Sequence, residues 1–134
     1  MQVHEGQVGR VFALKLEPGD HLIADLARLA ADRGIRTALV LVLGATTDAR
    51  MVLGVRSQAD RPPEFDRLVS AEHRELIGVG SVTSRDGKPK VHLHVATGRD
   101  RQALIAHIEE AETPGMEVFL VECLGADLAS ASLL

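Results

Sequence analysis

Aromatic residues are almost missing from this chain of 134 residues: Phe12, Phe65 and Phe119 stand alone, with no Trp and no Tyr. A core must therefore be built from Val, Leu, Ile and Ala. The stacking platform on which single-strand nucleic-acid binders lay their bases is excluded. A lone cysteine, Cys123, excludes an internal disulfide and a cysteine-rich zinc site. Positive charge is in deficit: 15 Lys and Arg face 19 Asp and Glu, for a net charge of −4. Unaided DNA binding needs a clustered excess of cations, so the charge balance opposes it. No apolar run approaches the roughly 20 residues that span a bilayer. The opening residues Met1–Glu5 lack the basic and apolar regions of a signal peptide. The expectation is a soluble, cytoplasmic protein with no membrane partner. A GxSxG elbow, HExxH, a Walker loop and a usable GxGxxG are also absent.

What is present suffices for a folded domain. Hydrophobic residues make up 46% and charged residues 25%, which argues against disorder. There is no linker or repeat, so residues 1–134 are expected to form a single domain. A compact monomer of 14.4 kDa would expose roughly 6,800 Å².

Gln7–Leu16 reads as a strand, with Val8, Phe12, Leu14 and Leu16 inward and Arg10 out of step. Glu17-Pro18-Gly19-Asp20 is a turn, and Asp20 is placed to cap a helix over His21–Arg33 that stops at Gly34. The run Thr37–Leu43 reads as a strand buried on both faces. Ala49–Val55 and Phe65–Ser70 read as strands, with a polar loop over Ser57–Glu64 between them. Glu75–Thr83 and Lys90–Ala96 form a hairpin about Asp86-Gly87. Gly78-Val79-Gly80, inside its first strand, marks close backbone approach. Leu104, Ile105, Ile108 and Ala111 fall at helical spacing, so periodicity predicts a helix over Asp100–Glu112. Met116–Leu124 is a last strand, and the tail from Gly125 to Leu134 is indistinct. The sum is an α+β domain: a largely antiparallel sheet of about seven strands with one or two packed helices.

His92 and His94 stand two apart in a strand, so both imidazoles leave the same face while Val91, Leu93 and Val95 pack inward. Such a pair can chelate one Zn²⁺. His107, in an apolar context, is the best third ligand; Glu117 and Glu122 are weaker alternatives. His4, His21 and His73 read as surface residues, and Cys123 as a small core hydrophobe. Arg85, Lys88 and Lys90 read as a solvated turn.

The stretch Leu76–Val95, with its small-residue strand, its Asp86-Gly87-Lys88-Pro89 turn and His92-Leu93-His94, resembles the central motif of the plant and prokaryote conserved (PPC) domain family. Arg10–Asp20 is similar to that family's opening strand and Glu-Pro-Gly turn. Leu43-Gly44-Ala45 resembles its Gly-Ala bend, and Glu117-Val118 its late strand. The resemblance runs from about Gly9 to Gly125. It implies a homotrimer of single α+β domains and candidate DNA association. It also implies a metal, zinc or similar, on His92, His94 and His107. Ile105-Ala106-His107-Ile108 stands where the family has Gly-Gly-His-Leu, and that pattern argues against a continuous helix there. No AT-hook is present, so the segment that grips DNA in plant members is missing.

Three functions compete: a trimeric regulatory or DNA-associated binding module, a zinc-dependent hydrolase or decarboxylase-like enzyme acting on a small oxygenated substrate, and a metal-stabilised trimeric scaffold with a small-molecule ligand pocket between subunits. The shortage of aromatics makes an inter-subunit face of Leu, Val and Ile the expected one.

Overall fold

The alternation of apolar and polar side chains carries through most of the chain as extended backbone. A computed structural model describes residues 1–57, 59 and 62–128. In chain order its elements are β1 (Gln7–Leu16), α1 (Leu22–Asp32), β2 (Thr37–Thr46), β3 (Asp48–Ser57), β4 (Glu64–Ser70), β5 (Arg74–Arg85), β6 (Lys88–Arg99), β7 (Gln102–Glu112) and β8 (Gly115–Leu124). All eight strands join one antiparallel sheet in the order β1-β8-β2-β5-β6-β7-β3-β4. The architecture is the α+β fold expected, with eight strands rather than about seven and, among the described residues, one helix. Parts of the expected loop (58, 60 and 61) and tail (129–134) lie outside the described residues.

Helix α1 covers one face of the sheet. Leu22, Leu26 and Ala30 are fully buried in one core with Val40, Val82, Leu93, Val95, Val118 and Leu120. Gly34, at φ 64°, ends the helix as expected. Asp20 does not cap it. Its carboxylate accepts from the Glu17 amide instead. The first helical N–H groups of Ile23 and Ala24 donate to the carboxylate of Glu110, on β7. An acid from a distant strand thus takes the place of a local cap.

The other face is open. In β2 the inner residues Ala38, Val40 and Val42 are buried, but Leu39, Leu41 and Leu43 are 40–54% exposed. Burial on both faces of this strand, expected from its continuous apolar run, is thus half met within this chain. Cross-strand register places Val79, Ile77, Phe119 and Val11 on the same open face, and all are exposed.

Two irregularities explain where the sequence reading failed. In β1 the register shifts between Val8 and Val11. The extra residue turns Val8 outward, to 70% exposure, while Arg10, next to the regular pair Val11–Val121, meets Glu122. In β7 the register shifts between Glu110 and Ile108, opposite Arg50 and Met51. This bulge sets the buried residues Ala106, Ile108 and Ala111 at unequal intervals. The resulting spacing imitates a helical stripe, so the helix predicted over Asp100–Glu112 is a strand. Ile105, assigned to that stripe, is 73% exposed.

The β5–β6 turn is tighter than the six residues expected. Only Asp86 and Gly87 lie outside the strands, both at positive φ (52° and 73°), as a two-residue hairpin of right-handed twist requires.

Candidate metal centre

Two neighbouring strands bring three imidazoles together. His92 and His94 project from alternate positions of β6 onto the open face. His107 sits directly across from His94 in the β6–β7 register. The ring centroids stand 5.0, 5.2 and 5.5 Å apart. One ligand nitrogen from each ring lies within 4.8 Å of the others. The Nε2 atoms of His92 and His94 are 3.2 Å apart. Two ligands at about 2.05 Å from a tetrahedral ion stand about 3.3 Å apart, so this pair matches the span that Zn²⁺ needs.

Backbone packing fixes the pair. A Cβ on Gly80 would stand 2.1 Å from the His92 carbonyl oxygen, and one on Gly78 would stand 2.8 Å from the Val95 side chain. The close approach read from Gly78-Val79-Gly80 is what seats β6 on β5. On β7, Ile105 and Ala106 have ordinary strand backbone, with neither at positive φ. The absence of glycines before His107 therefore does not disturb its placement.

Electrostatics favour the ligating form. Burial, then His94 and Lys90, lower the pKa of His92. Burial, then His92 and His94, lower that of His107, with Glu109 acting in the opposite sense. A neutral imidazole is the form that binds a metal. The donor set, three neutral nitrogens with no thiolate, suits a divalent borderline ion such as zinc.

The rings open into a cavity of about 460 Å³ whose walls come from β3, β4, β6 and β7. Val52 pairs with His107 across β3–β7, and β3 runs on beyond that pair with only β4 as partner, so this arm overhangs the rings. Val52, Val55, Phe65 and Ile105 supply apolar walls, and Lys90, Arg67 and Glu109 supply charge.

The carboxylates named as alternative ligands are elsewhere. Glu122 is buried and holds Arg10 through Nε (2.7 Å) and its backbone N–H (3.1 Å), and the guanidinium keeps its pKa at about 2. Glu117 is exposed between Lys15 and Leu43 on the open face. The acid that does line the cavity is Glu109, 3.3 Å from Arg67 Nε. Sequence reasoning missed it. Reading residues 102–112 as a strand would have found it, two positions after His107. His4, His21 and His73 are exposed as expected, and Cys123 is half-buried rather than in the core. Arg85 and Lys88 are solvated, whereas Lys90 borders the cavity. No helix among the described residues is long and apolar enough to cross a membrane.

The chain belongs to the Plants and Prokaryotes Conserved (PCC) domain family, whose model matches residues 3–124. No curated protein matches it. Among solved structures it is similar to a metal-containing protein from Archaeoglobus fulgidus, at 28% identity and a TM-score of 0.84, covering 95% of this chain and 89% of that one. It is similar to a plant- and prokaryote-conserved protein from Pyrococcus horikoshii, at 24% identity and a TM-score of 0.83, covering 95% and 87%. A candidate DNA-binding protein from Bacteroides thetaiotaomicron shares the fold at 19% identity and a TM-score of 0.76, covering 94% and 87%.

Proposed function

We propose that residues 1–134 act as one domain of a homotrimeric binding module in which His92, His94 and His107 hold a Zn²⁺ ion facing a small-molecule cavity. The observation that carries this reading is the convergence of three ligand nitrogens within 4.8 Å from two strands. The metal-containing relative from Archaeoglobus fulgidus, at 28% identity, supports it. Three protein ligands leave a tetrahedral ion with an open position, and an ion there would polarise a carbonyl or carboxylate oxygen.

The trimer is supported by the open face. The subunit exposes 8543 Å², against the roughly 6,800 Å² expected for a compact monomer of this mass. Leu39, Leu41, Leu43, Val79 and Phe119 form a contiguous, exposed apolar surface, the kind of surface that marks an interaction site.

The DNA association named for the Bacteroides relative finds little support in this chain. The net charge is −4, and Arg56, Arg67 and Arg74 are each held by a carboxylate. A gel-shift titration at low salt tests it, and retention of duplex DNA would restore it.

A second reading, a zinc-dependent hydrolase or decarboxylase-like enzyme, is favoured by one observation: Glu109 borders the same cavity as the rings, where a carboxylate can accept a proton. Turnover on a panel of esters and oxo-acids that disappears in Glu109→Gln would establish it.

Metal analysis of the purified protein beside the triple variant His92→Ala, His94→Ala, His107→Ala tests the main reading. The expected result is one ion per chain in the first and none in the second. Equal metal content in both would refute the site.

A further inference from the structure

The charges bordering the cavity do not balance. Arg67 is engaged: its Nε lies 3.3 Å from Glu109, and its guanidinium stands over the Phe65 ring at 5.5 Å. Lys90 has no ion pair among the described residues, yet it shares the face of His92 and His94 and borders the same cavity. Same-face neighbours in a strand are about 6.6 Å apart, so the Lys90 and His92 side chains leave the sheet side by side and line one cavity. Lys90, Arg67 and Glu109 leave one net positive charge, and a divalent ion on the histidines would raise it to three. This cationic cavity lies in a chain of net charge −4, which focuses attraction on small anions. Its walls are not those of a phosphate or nucleic-acid groove. Val52, Val55, Phe65 and Ile105 line it, and the last three are 38–73% exposed. Apolar groups in such a place call for a ligand with a carbon skeleton to cover them.

We infer that the cavity takes a small carboxylate with an aliphatic body, its anionic group recognised by Lys90, a neighbouring oxygen facing the histidines, and its carbon chain against Val55, Phe65 and Ile105. This rests on the metal reading above. It adds a ligand class and a recognition residue that the metal site alone does not require. Lys90 acts on binding and takes no part in holding the ion.

The test uses the zinc-loaded protein and titration calorimetry with three probes: 2-hydroxy-4-methylpentanoate, its neutral amide, and inorganic phosphate. The wild type is expected to bind the acid about tenfold more tightly than the amide, the worth of one charge-assisted hydrogen bond. Lys90→Met is expected to erase that preference, with amide binding and zinc content unchanged, and Lys90→Arg to retain it. Failure to bind the acid, equal binding of acid and amide, a preference that survives Lys90→Met, or tighter binding of phosphate than of the acid would each overturn the inference. Zinc content, measured first on the same samples, reports separately on the histidine site.

Discussion

Gly80 gives the sharpest test of how the sheet builds the site. It pairs with Leu93 across β5–β6. A methyl group there would meet the His92 carbonyl oxygen at 2.1 Å and the Leu93 Cα at 2.8 Å. Both are backbone atoms, so no side-chain rotation relieves the clash. Even a tight contact of about 3.2 Å requires the strands to part by about 1 Å. Overpacking of this kind costs about 1–3 kcal/mol, and a stretched ladder hydrogen bond adds about 1 kcal/mol. Loss of glycine's unfolded-state freedom works the other way by roughly 0.5–1 kcal/mol. Gly80→Ala is therefore expected to destabilise the protein by about 2 kcal/mol, and to lower zinc affinity because the displaced residue is His92. The assay is urea denaturation at fixed chain concentration, since an oligomer's stability depends on concentration, with zinc content read on the same samples. Gly54→Ala is the control: nothing lies within 4 Å of its added Cβ, and it is expected to be neutral or slightly stabilising. If Gly80→Ala matches the control in both stability and zinc content, the close approach of β5 and β6 does not position the histidines.

Glu110→Ala strips the acceptor from the Ile23 and Ala24 amides and is expected to cost about 1 kcal/mol in urea denaturation, as loss of a helix cap does. Glu122, with its pKa lowered from 4.5 to about 2 by Arg10, contributes stability that is present above pH 4.5 and fades as pH falls towards 2. Glu122→Gln is expected to cost about 1–2 kcal/mol at neutral pH, allowing for solvent around the half-exposed Arg10, and to flatten the acid side of the pH–stability curve. Leu41→Lys places a charge at the centre of the open apolar face. It is expected to shift the sedimentation coefficient from trimer to monomer with an unchanged far-ultraviolet spectrum. The pKa values of His92 and His107 lie below the usual 6.5. Zinc is therefore expected to remain bound on acidification to that pH and to leave only below it; release centred above 6.5, followed by metal analysis after dialysis, would contradict the lowered values.

Much of the site was legible because its residues obey the period of two. His92 and His94 needed only a strand, and the strand was marked by Val91, Leu93 and Val95 on the other face and by Asp86-Gly87 at its start. Lys90 obeys the same parity, but the nearby Arg85 and Lys88 disguised it as part of a solvated turn. The open face was harder to see. An unbroken run such as Thr37–Leu43 signals burial on both sides, and sequence does not say whether the second side is covered by the same chain or by a copy. The exposure of Leu39, Leu41 and Leu43 shows that the chain itself covers only one side of that strand. Glu122 illustrates a different limit. Its partner Arg10 lies 112 residues away, and only the pairing of β1 with β8 brings them together.

The inserted residue of β7 ties the misread element to the function. A regular strand would send residues 107, 109 and 111 to one face. The bulge after Ile108 breaks that rule: His107 and Glu109 border the cavity, Ala111 returns to the core, and Glu110 reaches the first turn of α1. One extra residue thus lets a single strand bring His107 to the histidine cluster, line the cavity and anchor the helix. It also removes the alternation by which a strand is recognised, leaving apolar positions three and four apart. The device that arranges these side chains is therefore the one that made β7 look helical.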